Sequence, residues 1–212
     1  GEWIDRRSAE RDRVSDLLEP HALPPQLGDT DLDAYVVCVA TLEPRKNHAV
    51  LLDAFDRWAP QHPGLGLVLI GRIGWNTDAL VRRIESHPLL GRQLFWFAHA
   101  GDDAMRSLLG RATVAAMPSH AEGFGLPVLE ALQLGVPVVT TNGGALAEVG
   151  GDAPVRLPPD DGAAWADVLV RHATDADYLA QRQAETREAA RHLPTWAQAR
   201  DELVELLTHP AG

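Results

Sequence analysis

The chain has 212 residues, of which 45% are apolar and 23% charged, and this ordinary balance excludes an intrinsically disordered or low-complexity protein. Its formal net charge of −11 argues against broad nucleic-acid binding and against a polybasic membrane patch, so any anion site must be local. The lone Cys38 excludes a disulfide framework, and because no apolar run approaches the roughly 18 residues of a membrane span and no secretory leader is recognisable, we expect a cytoplasmic protein.

The N-terminal part of the chain differs in composition from the rest. Residues 1–33 combine an Arg-, Asp- and Glu-rich stretch, predicted as a short surface helix, with a linker that contains Pro and Gly. From residue 34 onward, apolar runs typical of strands alternate with amphipathic windows typical of helices. We therefore expect a charged helix and linker over residues 1–33 and one large domain over residues 34–212, which includes the C-terminal helices.

The alternating part of the chain predicts the fold class. Strands are predicted at 35–40, 67–70, 94–98, 113–117, 136–140 and, more weakly, 153–157. Helices are predicted at 48–58, 77–86, 102–109, 127–134, 160–173, 175–191 and 195–207. This alternation predicts an α/β domain with a Rossmann-like, doubly wound parallel sheet. Ligands bind such sheets at the carboxyl ends of the strands, so the segments that follow strands are the candidate site.

The segment after the first strand carries two adjacent cations in an otherwise acidic chain. Its sequence, Thr-Leu-Glu-Pro-Arg-Lys-Asn over residues 41–47, places Arg45 beside Lys46. An Arg can form paired hydrogen bonds with phosphate oxygens, and a Lys adds a mobile point charge. The segment therefore indicates phosphate binding. The alternative is a solvated charge pair with Asn47 as a helix cap.

A glycine-containing joint connects the fourth strand to the next helix. Gly123 and Gly125 permit positive φ and a close approach of a ligand to the backbone. A helix that begins near Leu126, with Pro127 in its first turn, would direct free N–H groups and its positive dipole end toward an anion. The alternative is an ordinary Gly-Pro turn.

Two carboxylates flank this joint. Glu122 precedes the glycines, and Glu130 follows eight residues later, about one turn into the predicted helix. Carboxylates accept hydrogen bonds, and sugar hydroxyls donate them. An anion site between two such acceptors suggests a nucleotide sugar as ligand, although a capping role for a Glu is the alternative.

Residues 122–130, Glu-Gly-Phe-Gly-Leu-Pro-Val-Leu-Glu, resemble the E-x7-E signature of the retaining GT-B glycosyltransferases of family 4, the group 1 glycosyltransferases. The resemblance extends from about residue 35 to the C-terminus. It implies the C-terminal, donor-binding half of a GT-B fold, whose N-terminal acceptor domain this chain does not match. One departure is Thr41, near which many members of the family have an Arg that binds phosphate.

The resemblance also implies roles for individual residues. The predicted catalytic residues are Glu122, which would contact the transferred sugar, and Arg45 and Lys46, which would stabilise the departing diphosphate. Glu130 would bind the ribose hydroxyls. The other donor-binding positions implied by the resemblance are Thr41, Gly71, Phe97, Ala98, Gly123, Phe124, Gly125 and Leu126.

The Thr-Leu-Glu-Pro-Arg-Lys-Asn variant most resembles mannosyltransferases that use GDP-mannose in bacterial polysaccharide, lipopolysaccharide or lipid-linked glycan assembly. This implies a nucleotide-sugar donor as substrate, a glycan or lipid-linked acceptor, and neither a cofactor nor a metal. It is compatible with peripheral membrane association of a longer protein. We expect this chain alone to bind a nucleoside diphosphate without transferring sugar. The alternatives are a nucleotide-sugar epimerase on the same scaffold and a non-catalytic nucleotide-binding regulatory domain.

Overall fold

The computed structural model describes residue 27 and residues 30–193 of the chain, and residues 30–191 belong to one compact unit. Six parallel strands form a single sheet in the order β3-β2-β1-β4-β5-β6. The strands are β1 (Ala34–Val39), β2 (Leu65–Ile70), β3 (Leu94–Phe97), β4 (Val114–Met117), β5 (Val138–Thr140) and β6 (Val155–Arg156). The helices are α1 (His48–Trp58), α2 (Asp78–Glu85), α3 (Asp102–Gly110), α4 (Leu126–Gln133), α5 (Gly162–Thr174) and α6 (Ala176–Arg191).

The central strands are apolar along almost their whole length because both faces of the sheet are covered. Every residue of β2 and β4 is buried, as are five of the six residues of β1. Continuous apolar runs of this kind are typical of parallel strands between two helical layers. The largest buried side chains on the helices, Phe55, Trp58 and Trp165, belong to the main hydrophobic cluster.

The strand order determines where a ligand can bind. The chain proceeds from β1 to β2 and β3 on one side of the sheet, and then returns to place β4, β5 and β6 on the other side. The direction of winding therefore reverses between β1 and β4. In open α/β sheets the crevice at such a reversal, outside the carboxyl ends of the strands, is the ligand site.

These elements confirm the predicted α/β fold with its doubly wound parallel sheet. Every predicted strand and helix within the described residues is present, with bounds that differ by a few residues. One such difference is in β5, which begins at Val138 because Gly135 adopts φ 73° and the Val136 N–H donates to the Ala131 carbonyl, so that these two residues end α4. The predicted N-terminal surface helix and the helix predicted at 195–207 lie outside the described residues.

Within residues 30–193, none of the helices is both long enough and apolar enough to span a bilayer.

Candidate active site

Two loops meet at the reversal point of the sheet. The loop after β1 carries Arg45 and Lys46 in a short 3-10 turn, and the loop after β4 leads to Gly125. The backbone N–H of His120 donates to the Arg45 carbonyl oxygen at 2.9 Å. Asn47, which adopts φ 54°, donates its side-chain N–H groups to the carbonyl oxygens of Pro118 at 3.3 Å and Pro159 at 2.8 Å. The cationic loop and the glycine-containing loop are therefore fixed to each other.

The functional groups of the two loops form one cluster centred on Glu122. The Nζ of Lys46 lies 2.5 Å from Oε1 of Glu122, and Nη1 of Arg45 lies 2.9 Å from Oε2. Ser119 donates from Oγ to the same Oε1 at 2.7 Å. The side chains of Lys46 and Glu122 are only 14% and 13% exposed, whereas that of Arg45 is 42% exposed. Each oxygen of the Glu122 carboxylate thus has a cationic partner.

This cluster keeps the Glu122 carboxylate ionised. Partial burial acts to raise the pKa of Glu122, but the hydrogen bonds from Lys46, Ser119 and Arg45 outweigh it and lower the pKa below its usual value. The carboxylate therefore carries a full negative charge at neutral pH. Its Oε1 holds two donors and its Oε2 one, so most of its acceptor capacity is used by Lys46, Ser119 and Arg45.

The loop after β5 fixes the backbone of Glu122 through two main-chain hydrogen bonds. The Glu122 N–H donates to the Gly143 carbonyl at 3.2 Å, and the Glu122 carbonyl accepts from Ala145 at 3.0 Å. A Cβ on Gly143 would lie 2.0 Å from the His120 carbonyl oxygen, and Gly144 adopts φ 62°. The two adjacent glycines are therefore required for this close approach of the loops.

Helix α4 begins beside this cluster. Gly125 adopts φ 76° as the N-cap, and Pro127 is the second residue of the helix, so the first turn contains a residue without an N–H. Helix N-termini attract anions through their free N–H groups and the positive end of the dipole. The start of α4 and the cationic turn lie on the same pocket. That pocket is lined by Cys38, Val39, Ala40, Lys46, Met117, Pro118, Ser119, Glu122, Gly125, Pro127, Val128 and Leu146.

Cys38, which lines this pocket, and His48, which follows the cationic turn, are buried side chains that carry no charge at neutral pH. Burial raises the pKa of the Cys38 thiol to about 12, and the nearby Lys46 opposes that shift only in part. Cys38 is thus a free, buried thiol that packs as a small apolar side chain. Burial lowers the pKa of His48 to about 4, so the imidazole is neutral at pH 7.

The structure brings together the three residues predicted to be catalytic, and Gly125 lies on the same pocket. Its sequence neighbours Gly123, Phe124 and Leu126 are exposed and are not among the residues that line the pocket. Glu130 is the fifth residue of α4 and is half-buried, but it does not line the pocket in the described part of the chain.

The other four predicted donor-binding positions lie at or after the ends of β1, β2 and β3. Thr41 and Gly71 follow β1 and β2, where a Cβ on Gly71 would collide with the Ala40 carbonyl oxygen at 1.9 Å. Phe97 is the last residue of β3, the strand at the edge of the sheet, and Ala98 follows it; both are half-buried. Among the residues that the structure describes, these four do not line the pocket, and their roles stay predictions.

Ser119 is a site residue that sequence reasoning missed. Its hydroxyl contacts Glu122, and its carbonyl accepts from the Thr141 hydroxyl at 2.6 Å. The available signal was its place in the loop after a predicted strand, three residues before Glu122. A second overlooked signal is that Lys46 is the only lysine in the sequence, in which every other basic side chain apart from histidine is an arginine.

No group of three or more His, Cys, Asp or Glu side chains within the described ranges is arranged to hold a metal ion. The chemistry that this arrangement supports is the binding of an anion by Lys46, Arg45 and the start of α4, next to a carboxylate that can accept hydrogen bonds. Fold and site together define a doubly wound α/β domain with a candidate anion site at the switch point of the sheet.

The domain matches a known protein family. The family model for group 1 glycosyl transferases matches residues 22–192, and the chain therefore belongs to that family. The predicted glycosyltransferase domain is confirmed. The Anabaena protein HepE, solved in complex with UDP and glucose, superposes with a TM-score of 0.70 at 17% identity, over 94% of this chain and 52% of that chain. At 17% identity, this similarity shows that the two proteins share a fold.

Two curated relatives come from Escherichia coli. The serotype-specific mannosyltransferase WbdA is 38% identical over 103 residues, which are 49% of this chain and 13% of WbdA. The O-antigen chain mannosyltransferase B is 38% identical over 134 residues, which are 60% of this chain and 33% of that protein. The chain thus spans at most a third of the length of these two relatives.

Proposed function

We propose that this chain is the donor-binding domain of a retaining, family 4 glycosyltransferase that transfers a hexose to a glycan or lipid-linked acceptor. The observation that carries the proposal is that Lys46 and Glu122 line one pocket at the start of α4, and that Arg45 contacts the same Glu122 carboxylate. Mannose from GDP-mannose is the donor that we propose, because two relatives are mannosyltransferases. No metal or other cofactor takes part in this proposal.

The proposed roles follow from charge. As the bond between sugar and diphosphate breaks, negative charge develops on the diphosphate, and Lys46 and Arg45 are the cations next to the pocket that can stabilise it. The N-terminus of α4 adds N–H groups to the same anion. Glu122 accepts hydrogen bonds from hydroxyls of the transferred sugar and orients it. Glu130 binds the ribose hydroxyls.

Binding of nucleoside diphosphates to the 212-residue chain tests the proposal. Calorimetric titration with GDP and with UDP is expected to show binding of GDP, and Glu130→Gln is expected to weaken it about tenfold through the loss of charge-assisted hydrogen bonds to the ribose. Glu85→Gln is the matched control, since Glu85 is an exposed residue of α2 and the variant changes net charge equally. Thermal melts show whether each variant is folded.

Each failure has a distinct meaning. Binding of neither GDP nor UDP by the wild type would overturn the donor-binding proposal. Binding that is unchanged in Glu130→Gln would remove Glu130 from the site and leave the rest intact. Incubation with GDP-mannose and a glycan acceptor is expected to give no transfer by this chain alone, and robust transfer would overturn the proposal that the acceptor site lies on another domain.

A further inference from the structure

In the structure, the groups proposed to bind the donor bind each other. Lys46 and Arg45 are the cations proposed for the diphosphate, and both are paired with Glu122, the acid proposed for the sugar. The Ser119 hydroxyl adds a third donor to the same carboxylate. A diphosphate that binds both cations therefore competes with the Glu122 carboxylate for their N–H donors.

Because Lys46 and Glu122 are largely buried, this competition discriminates between a nucleoside diphosphate and a nucleotide sugar. The side chains of Lys46 and Glu122 are 14% and 13% exposed, so water cannot fully replace a partner that either of them loses. A free nucleoside diphosphate satisfies the cations but leaves Glu122 with fewer donors and beside additional negative charge. A nucleotide sugar satisfies the cations and also offers hydroxyl donors to Glu122.

We propose that Glu122 is a specificity-determining residue that competes with phosphate for Lys46 and Arg45, and thereby disfavours the free nucleoside diphosphate relative to the nucleotide sugar. This inference rests on the proposed donor-binding function. It assigns two successive sets of partners to one carboxylate: the two cations before the donor binds, and the hydroxyls of the sugar afterwards.

The same exchange assists release of the product. Once the sugar has left, Glu122 no longer has hydroxyl partners, and its return to Lys46 competes with the diphosphate that remains. The backbone bonds that join Glu122 to Gly143 and Ala145 keep the carboxylate within reach of the cations. No covalent change of the protein is involved, because only ionic and hydrogen bonds are exchanged.

Glu122→Gln separates this role from simple binding. The amide keeps the size of the side chain and an acceptor for Lys46, but removes the competing charge. We expect Glu122→Gln to bind GDP or UDP, whichever the wild type binds more tightly, about tenfold more tightly than the wild type, which corresponds to the loss of one charge-assisted competitor. The affinity for the matching nucleotide sugar should gain less, so that the preference for the sugar-bearing ligand falls. Glu85→Gln should match the wild type for both ligands.

The single lysine provides a second measurement that needs no variant. Because Lys46 is the only lysine, 13C-labelled lysine gives one side-chain signal by NMR, and that signal reports the partner of Lys46. Saturating GDP is expected to shift it. A shift upon GDP binding together with tighter binding by Glu122→Gln supports the inference.

Two results would overturn the inference while the donor-binding function stands. In one, wild type binds the diphosphate and Glu122→Gln binds it equally or more weakly. In the other, the Lys46 signal of the wild type stays unchanged at saturating GDP. Absence of diphosphate binding in the wild type and in Glu122→Gln would instead overturn the proposed function, and this inference with it.

Discussion

The backbone N–H of His120 and the carbonyl oxygen of Arg45 are 2.9 Å apart and hydrogen-bonded, although 75 positions separate the two residues. This main-chain bond joins the loop after β1 to the loop after β4 without using any functional side chain. Substitution of Lys46 or Glu122 therefore leaves the bond that holds the two loops together. Variants of these side chains should report on their chemistry rather than on loop position.

Replacement of the only lysine should weaken anion binding. We expect Lys46→Met to lower the affinity of the chain for GDP about tenfold or more, because the partly buried cation that we propose for the phosphate is lost while the Glu122 carboxylate remains. Calorimetry measures the effect. Arg57→Met, on the exposed face of α1, removes the same charge elsewhere and should bind like the wild type. Equal affinity of Lys46→Met and the wild type would exclude Lys46 from the phosphate site.

Acid stability should depend on Glu122. Its pKa is lowered in the folded state, so the carboxylate stabilises the fold above its unfolded pKa, near 4.5, and this stabilisation is lost as the pH falls through the folded pKa. We expect the free energy of unfolding of the wild type to fall more steeply below pH 4.5 than that of Glu122→Gln. Denaturant titrations from pH 7 to pH 3 measure both slopes. Parallel curves would mean that the ion cluster contributes nothing to acid stability.

His48 should cause a separate pH dependence at milder acidity. Burial lowers its pKa from 6.5 to about 4, and neither ring nitrogen has a hydrogen-bond partner among the described residues. The unfolded chain therefore binds more protons between these values, and stability that is fully present above pH 6.5 is lost as the pH falls toward 4. Between pH 7 and pH 5 the loss should amount to about 2 kcal/mol.

His48→Leu tests this expectation, because it replaces the unpaired ring with an apolar side chain in a fully buried position. The variant should be at least as stable as the wild type at pH 5. Its unfolding free energy should lack the loss between pH 7 and pH 5 that the wild type shows in urea titrations. A loss of the same size in both proteins would assign the titration to another group.

Two glycines near Glu122 should respond differently to the same substitution. A Cβ on Gly143 would lie 2.0 Å from the His120 carbonyl oxygen, whereas a Cβ on Gly123 would meet nothing within 4 Å. We expect Gly143→Ala to lower the free energy of unfolding by about 2 kcal/mol or more, and hence the melting temperature by about 4–8 °C. Gly123→Ala should melt close to the wild type. Calorimetric melts compare the two, and equal melting temperatures would refute the steric argument.

Local patterns predicted the elements of this fold, because burial of both faces of the sheet produces apolar runs such as 67–70 that can be recognised without neighbours. The order of the strands cannot be recognised in this way, because it depends on which apolar runs, far apart in sequence, pair with each other. Nothing within residues 35–40 indicates that β1 lies between β2 and β4. The reversal point that positions the site was therefore visible only in the structure.

The candidate site was predictable in residue type but not in pairing. Arg45, Lys46 and Glu122 were found because each follows a predicted strand. Their mutual contacts involve residues more than 70 positions apart, and sequence spacing carries no information on such contacts. Ser119 was missed for the same reason, because its role depends on the direction in which Glu122 points.

The presence of a single lysine, at position 46, also determines how this chain responds to chemical coupling. Reagents that acylate side-chain amines normally modify a protein at many surface lysines, but this chain has only one ε-amine. Attachment of a dye or a bead through that amine would block the position proposed for the phosphate. Tethering of the chain for surface-based assays therefore has to use its ends or an introduced cysteine.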